Sequence, residues 1–134
     1  MDYVLINIIL NAILVGVIVL TQFVTYPLFK KINYNFKTYH SEYTSRMGFV
    51  VAPLMILELI IVVLIISTQP INNIIKAIVV ITALIWASTF LIQVPIHNKI
   101  SFNKDTRKVN KLIQSNLIRT ALWCAKLVLS ILLI

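Results

Sequence analysis

Hydrophobic positions in this chain come in four long blocks separated by short polar segments. The first block, residues 3–29, carries no charged side chain, and the others cover residues 48–68, 74–96 and 109–134. Each block reaches the ~20 residues that a helix needs to cross a ~30 Å hydrocarbon core. Because lipid offers no partner to backbone N–H and C=O groups, such blocks form helices and not strands. The pattern predicts an all-α, integral membrane four-helix bundle in one domain, residues 1–134.

The segment between the first two blocks, residues 32–47, follows a different pattern. Apolar side chains recur there at helical spacing, with charged residues between them: Phe36, Tyr39, Tyr43 and Met47. This is typical of a short amphipathic helix that lies at the membrane interface or folds against the bundle. We expect the second spanning helix to begin near Gly48 and the third to be interrupted near its end by Pro95. No internal repeat is expected.

Composition and charge extend this picture. Hydrophobic residues make up 60% of the chain and charged residues only 12%, against about 25% charged residues in soluble domains. The net charge of +8 is concentrated in two of the loops. Since Lys and Arg accumulate in cytoplasmic loops, we expect a multi-pass protein of the inner or plasma membrane with both termini outside. The basic loops would contact anionic lipids, and nothing separate indicates a nucleic-acid partner.

Several polar side chains fall inside the hydrophobic blocks, where a charge costs at least ~2.5–3.5 kcal/mol at mid-bilayer. At ~1.5 Å per residue from the cytoplasmic ends, all four helices place such a group in the same half of the bundle. We expect Glu58 to pair with Arg119. Three side chains would complete the hydrogen bonds: Gln22, Gln93 and Asn116. A purely structural pair that fastens two helices is the alternative.

Chemistry would then centre on a pocket around the Glu58–Arg119 pair. Arg119 would supply charge, Glu58 a counter-ion or proton acceptor, and His97 a group that titrates near neutral pH. These three are the catalytic candidates. The residues expected to line the pocket are Gln22, Tyr26, His40, Tyr43, Gln93, Asn116 and Trp123. Lys126 is expected to extend its ammonium toward the outer face.

A metal site is a weaker candidate. His40, His97 and Glu58 are the ligand types that suit non-haem iron or zinc. The sequence has no HExxH motif, no His-x-x-His and no cysteine pair, so the spacing gives little support. A solvated His40 and an interfacial His97 remain open as alternatives.

Short motifs along most of the chain resemble a group of small bacterial four-helix membrane proteins, and that group in turn resembles the anthrone oxygenase-like membrane family. The segments that carry the resemblance are Tyr26-Pro27-Leu28-Phe29, His40 to Arg46, Pro53 with Glu58, Gln93-Val94-Pro95-Ile96-His97-Asn98, and Asn116 to Trp123. The resemblance implies a four-helix membrane fold. Some relatives are implicated in oxidising polycyclic aromatic substrates without a bound cofactor.

The leading hypothesis is therefore a pocket within the membrane, near the cytoplasmic face, that binds a small apolar or quinone-like molecule. If the protein is an enzyme, oxidoreductase chemistry is expected. A proton- or cation-coupled carrier, built as a homo-oligomer, is the first alternative. A non-catalytic accessory membrane subunit is the second.

Overall fold

The computed structural model describes residues 2–134 and is all-helical, with no strand in that range. Four long helices run alternately up and down: α1 (Tyr3–Phe29), α2 (Phe36–Thr68), α3 (Asn73–Phe102) and α4 (Thr106–Ile131). Polar side chains cap three of their N-termini by accepting hydrogen bonds from free backbone N–H groups: Asp2 for α1, Asn72 for α3 and Asp105 for α4. The predicted all-α fold of four helices is confirmed.

The first three helices are long and apolar enough to cross a membrane. α2 has 33 residues, about 50 Å at ~1.5 Å per residue, so it exceeds the ~30 Å hydrocarbon core. α4 is not among these three helices. Its 26 residues include five cations: Arg107, Lys108, Lys111, Arg119 and Lys126.

The prediction of a separate amphipathic segment over residues 32–47 is wrong. Phe36 begins α2, and the helix continues through Gly48 and Pro53 to Thr68. Gly48 does not have a positive φ, so the helical backbone continues through it without a break. The amphipathic pattern belongs to the first three turns of one long helix.

Pro95 does not end the third helix either. A π-helical turn over Thr89–Gln93 precedes it, and the helix then continues to Phe102. α1 contains the same arrangement, with a π turn over Thr21–Thr25 just before Pro27. Each wide turn accommodates the bonding disruption that a proline introduces, so both helices remain continuous.

The two π turns belong to a wider correspondence between the halves of the chain. Identical residues recur 68 positions apart around them: Thr21 and Thr89, Pro27 and Pro95, Lys31 and Lys99, Ile32 and Ile100, Asn35 and Asn103, Thr38 and Thr106. The hairpins α1–α2 and α3–α4 are thus parallel repeats, which an axis along the bundle relates to each other. The expectation that the chain has no internal repeat is wrong.

The helices are arranged so that α1 lies diagonally opposite α3, and α2 opposite α4. We call the end that carries segments 30–35 and 103–105 the basic end. Apolar clusters fill the interior at three levels: Phe29, Ile100 and Leu112 at the basic end, Leu14, Ile85 and Trp123 in the middle, and Val4, Ile65 and Ile75 at the far end. The seam between α1 and α4 is closely packed, whereas α2 and the first half of α3 touch sparsely.

Candidate functional site

A cavity of about 350 Å³ lies in the α2–α3 seam, bounded on its inner side by α1 and α4. Its polar wall faces the basic end and contains Tyr26, Tyr43, His97 and Arg119. The chain's two tryptophans, Trp86 and Trp123, also line it. At the outer side the wall consists of exposed apolar groups: Ala52, Ile56, Phe90 and Val94. The cavity therefore opens sideways between two helices.

The repeat explains why this seam is open and the other closed. In the α1–α4 seam, Asn116 Nδ2 donates to Gln22 Oε1 at 2.8 Å. The counterparts of Gln22 and Asn116 in the α2–α3 seam are Phe90 and Gly48, and both line the cavity. Gly48 has no side chain to reach across, and a Cβ built on it meets nothing within 4 Å. The cavity occupies the position of the missing polar link.

Arg119 is the charged group of the cavity wall. Its guanidinium lies beside the hydroxyls of Tyr26 and Tyr43, and its Nη1 is 3.5 Å from Thr89 Oγ1. Among residues 2–134, no acceptor receives a hydrogen bond from Arg119 Nε or from the buried indole N–H of Trp86. Both atoms are shut off from solvent, so they do not face the open cavity. Arg119 itself lines the cavity and brings a charged donor group to it, and this favours an occupant with acceptor oxygens.

A chain of hydrogen bonds leads from the cavity wall toward the basic end. The Tyr26 hydroxyl lies 2.9 Å from His97 Nε2, His97 Nδ1 lies 2.9 Å from His40 Nε2, and His40 Nδ1 lies 2.7 Å from Ser101 Oγ. His40 is completely buried. Its ring packs against Phe29 and Phe36, with centroid distances of 5.3 and 5.4 Å. His40 is therefore not the solvated group that the sequence left open, and His97 is bonded on both sides.

The predicted pair of Glu58 with Arg119 is wrong. Glu58 forms an ion pair with Lys126, and both side chains are fully buried. The ammonium also lies 5.2 Å from the centre of the Trp123 ring. Lys126 does not extend to the outer face as expected, because the carboxylate inside the bundle compensates its charge. Glu58 lies outside the cavity wall, which removes it from the candidate catalytic residues.

The predicted polar residues therefore separate into two groups. Tyr26, Tyr43, His97, Arg119 and Trp123 meet at the cavity. Four others are internal links that do not line it: Gln22 with Asn116, Gln93 through Nε2 to Ser115 Oγ at 3.0 Å, and His40 behind His97.

Sequence reasoning missed a further polar group at the far end of the bundle. Asn7 Nδ2 donates to Ser130 Oγ at 2.8 Å, and Asn11 Nδ2 donates to Asn7 Oδ1 at 3.0 Å. The signal was present in the spacing, because two asparagines four residues apart share one face of an otherwise apolar helix. The bond between Asn7 and Ser130 fastens α1 to α4 away from the cavity, and Asn11 holds Asn7 in place from within α1.

The residues proposed as metal ligands do not fit a metal. His40 and His97 use their facing ring nitrogens to bond each other, and Glu58 is engaged with Lys126. Within residues 2–134, no three His, Cys, Asp or Glu side chains come together in a way that would hold an ion. The iron or zinc site expected at His40, His97 and Glu58 is not assembled.

No protein-family model, curated protein or solved structure matches this chain. The site itself combines an apolar volume within the usual ~300–1,000 Å³ range of ligand pockets with a few convergent donors. Such an arrangement suits a mainly apolar molecule that carries an acceptor oxygen.

Proposed function

We propose that the protein is integral to the cell membrane, with all four helices crossing the bilayer. The hydropathy of α1, α2 and α3 supports this directly. The charges of α4 do not oppose it, because Lys126 is paired inside, Arg119 lines the cavity and the other three cations lie at the basic end. The exposed side of α4 is apolar, with Leu117, Ile118, Val128 and Ile131.

The basic end then lies in the cytoplasm and both termini lie outside. Nine of the twelve cations fall at this end: Lys30, Lys31, Lys37, Arg46, Lys99, Lys104, Arg107, Lys108 and Lys111. Such an excess follows the retention of Lys and Arg on the cytoplasmic side. It also provides an attractive surface for anionic lipid headgroups, at about 1 kcal/mol per cation near the surface.

We infer that the cavity binds a small, apolar, carbonyl-bearing aromatic molecule of the quinone type. The observation that carries this is the combination of a sideways opening lined by exposed apolar groups with the charged side chain of Arg119 at the inner wall. A lipid-soluble molecule enters between α2 and α3, and Arg119 binds its oxygen. The resemblance to the anthrone oxygenase-like membrane family favours the same ligand class and an oxidoreductase reaction. His97 then exchanges a proton with the ligand through the Tyr26 hydroxyl, which lies 2.9 Å from its Nε2, and Glu58 has only a structural role.

Menadione, a naphthoquinone, tests this binding because quinones quench tryptophan fluorescence and both tryptophans line the cavity. The purified protein in lipid nanodiscs should show saturable quenching. Arg119→Leu should weaken binding about tenfold or more, since a hydrogen bond to a charged group contributes ~1.5–3 kcal/mol. Arg107→Leu, at the exposed start of α4, is the matched control. Quenching that never saturates, or equal loss in both variants, would count against the site.

A second candidate function is a proton-coupled carrier, which the internal repeat favours. Transporters place their sites where two repeats meet, and the cavity lies between α2 of one hairpin and α3 of the other. Vesicles loaded with a pH-sensitive dye and given a potassium diffusion potential separate the two functions. Proton uptake that depends on the protein supports the carrier, whereas binding of menadione without proton flux supports the ligand site alone.

A further inference from the structure

We propose that Tyr26, His97, His40 and Ser101 form a proton relay that connects the ligand cavity with the basic end of the bundle. This rests on the proposed ligand site, because the relay would serve a molecule bound there. It adds a second function to that site: the exchange of a proton between the ligand and the cytoplasmic side.

The geometry of the chain is continuous. Its three donor–acceptor distances are 2.9, 2.9 and 2.7 Å, all within the normal range for hydrogen bonds. Tyr26 and His97 line the cavity at one end, and Ser101 is partly exposed near the end of α3 at the other. His40 joins them, and both of its ring nitrogens are used. No gap in the chain needs a bridging water.

The two histidines impose a direction on the bonds. A neutral imidazole has one N–H donor and one acceptor nitrogen, so two in series must donate the same way. In one state His97 Nδ1 donates to His40 Nε2, and His40 Nδ1 donates to Ser101. In the other state each of these bonds is reversed. The chain therefore has two equivalent polarities, which is the property that a relay requires.

A proton that leaves the ligand passes through as a series of exchanges. A ligand in the hydroxyl form, such as a quinol or a naphthol, gives its proton to the Tyr26 oxygen, and the Tyr26 hydroxyl proton moves to His97 Nε2. His97 Nδ1–H then gives its proton to His40 Nε2, and His40 Nδ1–H gives its proton to Ser101. Ser101 releases one proton at the basic end. The ligand becomes an oxyanion beside Arg119, and every relay residue keeps its neutral form.

The charged and titratable surroundings favour neutral histidines. At the cavity end, Arg119 of α4 faces Tyr26 of α1 and Tyr43 of α2. At the other end, the Lys104 ammonium lies 5.1 Å from the centre of the Phe36 ring, which stacks on His40. Burial of both rings and the charge of Arg119 near His97 make a resting imidazolium unfavourable, because like charges repel more strongly where water is excluded. Phe29 and Phe36 pack against His40 and shield this part of the relay from water.

The photoacid 2-naphthol tests the relay, because its excited state releases a proton wherever a competent acceptor chain is present. It is a fused bicyclic molecule like menadione, with one hydroxyl to exchange. Energy transfer from Trp86 and Trp123 reports its binding, and its emission colour reports whether it is naphthol or naphtholate. Excitation at wavelengths beyond tryptophan absorption isolates the second signal.

We expect bound 2-naphthol to emit as naphtholate, with a rise that slows in D₂O. His40→Phe should leave energy transfer in place but shift emission to neutral naphthol, since His40 lies behind the cavity wall. Ser101→Val removes the last hydroxyl near the surface and gives a second, milder interruption. Tyr39→Phe is the matched control, because its ring packs against Phe29 beside His40 without joining the chain.

The outcomes separate the two proposals. If the unsubstituted protein does not bind 2-naphthol or menadione, the ligand site and the relay both fail. Binding with neutral emission alone, or naphtholate emission that persists in His40→Phe and Ser101→Val, overturns the relay and leaves the ligand site intact. Loss of naphtholate emission in those two variants but not in Tyr39→Phe supports the relay.

Discussion

Glu58 and Lys126 occupy equivalent positions in the two hairpins, 68 residues apart, and form an ion pair across the interior of the bundle. Residues that a twofold relation exchanges can touch only if they lie close to its axis. The pair therefore marks the centre of the molecule, and the two halves have diverged there to opposite charges.

Removal of one partner should destabilise the protein strongly. Glu58→Gln or Lys126→Met leaves the other charge buried and alone, which costs ~3–5 kcal/mol. The exchanged double variant Glu58→Lys/Lys126→Glu should recover a large part of this loss, because the positions are equivalent. Denaturant titration of the detergent-solubilised protein, followed by circular dichroism, measures the free energy of unfolding.

The exposed pair of Arg46 with Glu42 serves as the control for this experiment. Arg46→Gln should change the free energy of unfolding by less than ~1 kcal/mol, since solvent screens surface pairs. Equal effects for Arg46→Gln and Lys126→Met would contradict the structural role of the buried pair.

Gly48 should control the size of the ligand cavity. Gly48→Gln supplies a side chain where the sister seam has Asn116, and nothing blocks its Cβ. It should weaken the affinity for menadione, measured by tryptophan quenching, about tenfold or more, which corresponds to ~1.4 kcal/mol of binding free energy. Gly16→Gln is a matched control, because Gly16 is also helical and open but lies away from the cavity. Similar affinities for both variants would place the ligand elsewhere.

Single cysteines should report the orientation in the membrane. In a Cys124→Ala background, Tyr34→Cys lies at the exposed basic end and Ile71→Cys in the opposite turn. An impermeant maleimide should label Ile71→Cys in intact cells and Tyr34→Cys only after permeabilisation. The reverse pattern would invert the topology, and equal labelling in intact cells would remove the membrane assignment.

Asn35 should respond to substitution differently from its counterpart Asn103. Asn35 has a φ of 50°, in the left-handed region, and its side chain makes no capping bond. Asn35→Ala should therefore cost ~1–2 kcal/mol, whereas Asn35→Gly should be neutral or stabilising. Asn103 has a φ of −149°, so the order of Ala and Gly should reverse there. Unfolding measurements on the four variants test this, and a common order at both sites would contradict the backbone difference.

The hydrophobic pattern was sufficient to predict the four helices. α1 begins and ends with its uncharged block, because charges mark both boundaries. The inward orientation expected for Asn116 and Trp123 was also right, since both are buried. Periodicity identifies which face turns inward but not what lies opposite it.

The predicted pairing of Glu58 with Arg119 was wrong because α2 begins at Phe36 and not near Gly48. Counted from Phe36 at ~1.5 Å per residue, Glu58 lies about 33 Å along its helix. On the same scale, Lys126 lies about 30 Å and Arg119 about 20 Å from the start of α4. A helix start at Gly48 placed Glu58 at the depth of Arg119 instead of the depth of Lys126. The contact of His40 with His97 was hidden for the same reason, because it requires α2 to continue past Gly48.

Each π turn also acts as a change of angular phase along its helix. A π turn contains one residue more than an α-helical turn. Every later side chain is therefore rotated by about 100° from the direction it would have in an uninterrupted α-helix. In α1, Leu14 and Ile18 lie before the turn and face the middle of the bundle. Tyr26 lies after the turn, and the rotation directs its hydroxyl to His97. Loss of one residue from either turn would leave the helix almost as long but point Tyr26 or His97 elsewhere. The positions of Tyr26 and His97 therefore depend less on the length of each helix than on the number of residues before its proline.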